Sequence, residues 1–228
     1  MKARLGPTSS PGPGRPRGRR NAGYEASRGA LLEASLALLT KPAGAQASFR
    51  ELAAAAKVSV PTLRHYFPTR EGLLEALLGE AMRSALPFLH EIASGPLHPT
   101  LEESVAWFLG FQAEGLARGV EAIHALSLSQ GLNEPTVGTA YVRYVLEPSL
   151  QALEARLARH IARGDMRSAD LRCAALMLVG PTLLARLHQG PLGGARCRAL
   201  DERQLRAEVT SAFVRGFGQA TGPPRTKK

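Results

Sequence analysis

Apolar residues recur along this chain at three- and four-residue spacing, and no stretch alternates apolar and polar positions between turn signals, so the pattern predicts helices and no strands. Leu31, Leu32, Leu36 and Leu39 mark a first helix over about 25–39, which ends before Lys41-Pro42-Ala43-Gly44. Ser48 and Glu51 form a capping box for a second, with Leu52, Ala53 and Ala56 on its inner face. Ser59 caps a third, whose Leu63 and Phe67 point inward until Pro68 stops it. From Thr69 and Arg70 a longer fourth helix carries Leu73, Leu74, Leu77 and Leu78, with a kink or break expected at Pro87. A second capping box, Thr100 and Glu103, opens a fifth. Further helices are expected over about 119–129, from Asn133 to about Arg163 with a bend at Pro148, over 168–188 and over 201–219. The expectation is an all-α protein of about nine helices.

The third helix is only two turns long, too short to be stable alone. Its outward positions, Val60, Pro61, Thr62, Arg64, His65 and Tyr66, offer donors, methyl groups and a ring, with no carboxylate. Such a surface suits a helix entering the major groove of DNA. Charge agrees with this placement. Residues 1–71 hold 12 Lys/Arg against 4 Asp/Glu, whereas residues 72–220 hold 14 against 15. The net +10 therefore sits at one end of the chain and in its tails, which localises a polyanionic partner.

Four segments follow: a basic tail over 1–22 expected to be disordered, a helix-turn-helix domain over 23–72, a helical domain over 73–220 and a flexible basic tail over 221–228. The first tail is rich in Pro and Gly, with six basic residues and no acid. Its GRPRGRR run at 14–20 resembles an AT-hook core, in which Arg15 and Arg17 would lie in a narrow minor groove. The alternative is a solvated tail that attracts phosphate without reading sequence.

Residues 28–74 resemble the DNA-binding domain of TetR-family bacterial transcription regulators. The likeness rests on Arg28, Leu31, Leu32, Ala34, Leu36, Leu39, Ser48, Leu52, Ala53, Ala56, Val58-Ser59, Thr62-Leu63, Tyr66-Phe67, Arg70-Glu71 and Leu74. Two positions depart from the family pattern. Lys57 replaces the usual turn glycine and must take a left-handed conformation costing roughly 1–2 kcal/mol. Arg64 replaces an aromatic residue, so base preference does not carry over. The resemblance implies a ligand-responsive repressor that binds a palindromic operator as a homodimer. Base-edge and adjacent contacts are expected from Val60, Pro61, Thr62, Arg64, His65 and Tyr66. Phosphate contacts are expected from Ser48, Arg50, Ser59, Thr69 and Arg70.

The last two helices are apolar on more than one face, which calls for burial on two sides. Leu178, Leu205, Val209, Phe213 and Phe217 are the expected dimer contacts, and the family's paired terminal helices imply the same. Trp107, Phe111, His124, Tyr141, Tyr144 and Met177 are candidates to line an effector cavity within helices five to eight, though each also reads as ordinary core. Few charges fall on those apolar faces, so a neutral or lipophilic effector is expected. Cys173 reads as buried filler and Cys197 as a free loop thiol.

Enzyme signatures are missing. There is no G-x-S-x-G, H-E-x-x-H or P-loop, and no two of the six histidines stand at i, i+3 or i+4. Neither a metal nor a cofactor is expected. No apolar run approaches a membrane span and no hydrophobic stretch follows the basic N-terminus, so a cytoplasmic protein is expected. Two readings compete with the regulator: an architectural protein that binds DNA without an operator, and an all-α enzyme.

Overall fold

A computed structural model describes residues 17–41 and 43–219. Ten α-helices run through them: α1 (Arg17–Leu39), α2 (Phe49–Ala55), α3 (Val60–Tyr66), α4 (Arg70–Ser94), α5 (Leu101–Gly115), α6 (Glu121–Gly131), α7 (Pro135–Tyr141), α8 (Glu147–Arg163), α9 (Leu171–Gln189) and α10 (Glu202–Phe217). One-and-a-bit turns of π-helix join α5 to α6 over Leu116–Val120 and α7 to α8 over Val142–Leu146. The result is eight continuous helical rods, with no strand among the described residues. The first junction bends at Gly119, whose φ of 111° favours glycine. The second lies just ahead of Pro148, which has no N–H to close the preceding turn. The bend expected at Pro148 therefore falls a turn earlier.

The structure departs from the sequence reading at three points. α1 begins at Arg17, so the helix takes in residues 17–22 that had been assigned to a disordered tail. The stretch from Arg17 to Ala22 is free of proline and holds three arginines, a good helix former. Pro87 neither breaks nor ends α4, which continues through it to Ser94. The exposed outer side of the helix at Leu86, Pro87 and Phe88 leaves the ring room. Finally, α9 is long and apolar enough by length and composition to cross a membrane, with a mean hydropathy of 1.2. Its Ala174, Ala175, Leu178 and Val179 are nevertheless buried against neighbouring helices.

The core has two main parts. Leu32, Leu39, Leu52, Leu63, Phe67 and Leu74 pack α1 to α4 into a head, with Leu126 of α6 and Val137 of α7 pressed on it. Ile92, Val105, Phe108, Leu153, Leu178 and Phe213 join α4, α5, α8, α9 and α10 into a body. α4 threads both and is the mechanical link. Behind it α6 and α7 meet at Gly131 and Gly138, where a Cβ at 138 would stand 2.7 Å from the Gly131 carbonyl oxygen. Only glycine permits that approach.

Two polar groups are buried in the body. Arg156, 1% exposed, donates to Ser104 Oγ at 2.8 Å and to the carbonyls of Ile92 and Pro96, and its guanidinium lies 4.3 Å from the Trp107 ring. Burial and the nearby Arg159 push its pKa down. His160 Nδ1 meets Asp165 at 3.0 Å, fixing the end of α8 to the turn at Gly164.

Candidate DNA-binding face and effector domain

The sequence dictates the head through its caps. Ser48 Oγ accepts from the Glu51 N–H at 3.3 Å, while Ser48 N–H donates to Glu51 Oε2 at 2.8 Å. The Ser48 N–H and the Ser48 hydroxyl, which donates to Glu51 Oε2 at 2.7 Å, hold the Glu51 carboxyl below the usual range. Lys57 takes the left-handed turn at φ 56°, and Val58 then folds back so that its N–H reaches the Ala53 carbonyl at 3.0 Å. Ser59 caps α3 by accepting from Thr62 N–H at 3.2 Å, and Pro61 occupies the first turn, where a missing N–H costs nothing. Leu63 is wholly buried and Phe67 nearly so. This pins α3 by one side and leaves Pro61, Thr62, Arg64 and His65 exposed, with Val60 and Tyr66 half-buried.

That exposed surface contains no carboxylate. Tyr66 stacks on Tyr24 of α1 at 4.7 Å between centroids, and His65 meets both rings edge-on. Tyr66 is thus partly a packing residue, which orients α3 on α1. Arg28 lies over the Phe67 ring at 5.4 Å. Ser48 and Arg50 at the start of α2 are exposed, as are Ser59 and Thr69 at the caps of α3 and α4. Arg15 and the side chain of Arg17 lie outside the described residues, as do most of the N-terminal tail and the residues after 219.

Arg70 corrects the reading. Expected against phosphate, it turns inward instead: Nε donates to the Ala47 carbonyl at 3.1 Å, Nη2 to the Ala45 carbonyl at 3.1 Å and Nη1 to Gln130 Oε1 at 2.9 Å. Gln130 Nε2 also donates to the Ala45 carbonyl. The pair clasps the α1–α2 loop to α6 and so ties head to body. A basic residue in the first turn of a helix, where the dipole is unfavourable, hints at such a specific partner. Nothing in the sequence pairs it with Gln130.

The six candidate effector residues do not converge. Trp107 is covered by Arg156 and stacks on Phe111 at 5.2 Å, inside the body. His124 Nδ1 and Tyr141 Oη are 2.6 Å apart, in a separate cluster around Leu78 of α4, with Tyr144 packed nearby. Met177 is 56% exposed on α9. A ring of aromatic residues in the sequence is here three separate packing sites.

Burial lowers His124 to about 4 and raises Tyr141. The folded histidine therefore binds a proton less readily than the unfolded one, whose pKa is about 6.5. Its neutral-state stability is fully present above pH 6.5 and is lost as pH falls toward 4. Between pH 7 and 5 the protein is expected to lose about 2 kcal/mol, and His124→Asn should flatten that slope. Denaturant midpoints for both proteins across this range check it; parallel slopes would remove His124 as the source.

The expected dimer contacts divide likewise. Leu178 and Phe213 are buried within the protomer, Phe213 tilted on Phe217 at 4.6 Å, and Val209 packs on the same core. Leu205 and Phe217 are half-buried, Phe217 beneath Arg167. The apolar residues left exposed on α9 are Leu176, Met177 and Leu184, in line with Cys173 and Gly180. Cys173 is thus exposed rather than buried, as is Cys197. A 3.6-residue period identifies a stripe but does not say which of two apolar stripes the protomer uses itself.

Comparison with known proteins follows the geometry. Residues 31–77 match a family model described as bacterial regulatory proteins, tetR family. No curated protein matches the chain. Among solved structures, a transcriptional regulator from Mesorhizobium loti assigned to the TetR family superposes with a TM-score of 0.68 at 17% identity, covering 86% of this chain and 98% of that one. A TetR transcription regulator from Haloarcula marismortui gives 0.65 at 14% identity, over 86% and 100%. The transcriptional regulator FadR from Bacillus subtilis, in complex with stearoyl-CoA, gives 0.63 at 21% identity, over 82% and 97%. Residues 31–77, which contain the helix-turn-helix of α2 and α3, thus match the tetR family of bacterial regulatory proteins, and the described residues share the fold of TetR-family transcriptional regulators.

Proposed function

We propose that the protein is a repressor that binds a palindromic operator as a homodimer and releases it when a small molecule binds the body. The observation that carries the reading is the outward face of α3, exposed, free of carboxylates and aimed by the Ser59 cap and the buried Leu63. One two-turn helix contacts only a few base pairs, so useful specificity calls for two heads. The exposed Leu176, Met177 and Leu184 of α9 supply a surface for the second copy, because contiguous apolar residues at helical spacing are poorly left to water. Thr62, Arg64 and His65 read base edges; Pro61 and Val60 make apolar contacts, and Ser48, Arg50, Ser59 and Thr69 meet phosphates. The stearoyl-CoA held by FadR supports a small-molecule effector for this fold without identifying it here. Arg15 in the tail and Arg17 at the start of α1 add phosphate attraction.

Selection of bound sequences from a random DNA pool tests the reading. A recovered palindrome supports it, and uniform recovery favours the architectural alternative. Arg64→Ala should then lose about 1–3 kcal/mol of discrimination at one position of each half-site, the worth of a bidentate guanine contact. Binding across single-base operator variants checks this; a uniform loss assigns Arg64 to phosphate.

A further inference from the structure

Between α1, α4 and α6, at the junction of head and body, lies a cleft of about 920 Å³. None of the six aromatic, histidine or methionine side chains singled out in the sequence lines it. Its walls are apolar, chiefly Leu32, Leu74, Leu77, Ile123, Leu126 and Val137. At its buried end stands Ser127, 2% exposed, whose Oγ has no hydrogen-bond partner among the described residues. A buried hydroxyl without a partner costs roughly 1–3 kcal/mol, so its presence in a mainly apolar wall needs a reason.

The mouth is charged. Glu25, Arg28, Glu33, Glu80 and Arg83 line it, a surplus of one negative charge. Arg83 is taken by Glu80, and Arg28 lies over Phe67. Among the described residues, neither Glu25 nor Glu33 has an ion pair. An anionic ligand would meet that negative surplus; a cationic one would neutralise it.

We propose that this cleft is the effector site and takes a lipophilic organic cation. The apolar body would lie between α1, α4 and α6, the cationic group at Glu25 and Glu33, and a hydrogen-bonding atom toward Ser127. The volume fits one drug-sized molecule. This rests on the reading of the protein as a ligand-responsive regulator, and it supplies the coupling that reading needs. α1 carries Tyr24 and Arg28, which hold Tyr66 and Phe67 at the end of α3. A body wedged between α1 and α4 therefore moves the reading helix directly. Only a ligand that binds the displaced arrangement better can shift the equilibrium toward it.

Three dansyl probes of one fluorophore and different charge test the site on the full chain: dansylcadaverine (cationic), dansyl amide (neutral) and dansylglycine (anionic). The cation should bind about three- to fivefold more tightly than the neutral probe, as expected for partly exposed charge pairs, and the anion most weakly. Glu25→Gln with Glu33→Gln should level that ranking while retaining neutral binding. Ile123→Trp and Ala81→Phe each fill the cleft from a different helix and should abolish binding of all three; helical signal and melting identify which variant is folded. No fluorescence change with any probe, tightest binding by the anion, or unchanged binding in a folded filled variant overturns the site. In the second arm, dansylcadaverine should weaken binding to the DNA sequences selected without it. Unchanged DNA affinity with the cleft occupied overturns the effector role. Failure to select any sequence without probe sinks the regulator reading instead, while the probe ranking still decides the cleft.

Discussion

On the proposed α9 dimer, Leu184→Glu should leave a folded monomer that binds the palindrome selected by the unsubstituted protein on the order of 100-fold more weakly, whereas Phe213→Glu should not fold. Leu184 is 65% exposed on the outer face of α9, so a carboxylate there is solvated in the protomer and buried only when a second copy covers it. Across a two-fold axis each substitution enters the interface twice. Losing the second head removes the gain of linked binding, which runs to 10²–10⁴. Phe213 is 3% exposed, inside the body with Phe217. An unpaired carboxylate there costs about 4 kcal/mol or more, comparable to the whole stability of many domains. Light scattering and circular dichroism on both variants separate the cases. A dimer intact in Leu184→Glu, or a monomeric unsubstituted protein, would reject the α9 face as the interface. A folded monomer from Phe213→Glu would return that residue to the interface that its sequence pattern suggested.

Arg70→Ala is expected to lower the melting temperature by about 5–10 °C and to weaken binding to all DNA sequences together. The guanidinium satisfies two loop carbonyls and Gln130 at once, and losing charged hydrogen bonds at a half-buried site costs about 2–4 kcal/mol. The loop it holds runs into Ser48, the cap of α2, so loosening the loop loosens the head. Lysine should not rescue the loss, because a single ammonium on a flexible stem cannot span acceptors placed for a planar fork. Thermal melts and a double-mutant cycle with Gln130→Ala check the coupling. Unchanged melting with lost DNA affinity would make Arg70 a phosphate contact after all.

The two results mark where sequence and fold part company. The helix-turn-helix was legible almost residue by residue. Both capping boxes, the left-handed Lys57 and the stop at Pro68 appear as read, because caps and turns depend on neighbours within a few positions. The exposed face of α3 followed from the same local logic. Beyond that range the reading loosened. Arg70 was assigned by its place at a helix start, yet its partner Gln130 is sixty residues away. Leu178 and Phe213 lie on genuine apolar stripes, but two stripes on one helix are equivalent until the other helices are in place. Trp107 and His124 looked like parts of one cavity; Arg156 covers the first, and the second belongs to a different packing cluster around Leu78.

By itself, then, the sequence determined an all-α chain with a basic helix-turn-helix head and the identities of its outward residues, since hydrophobic period, caps and charge balance act locally. Tertiary structure alone decided which apolar face of α9 remains exposed, that Arg70 joins head to body, and where α1, α4 and α6 leave space. Those outcomes depend on packing helices far apart in the chain, where volume and direction matter and composition does not.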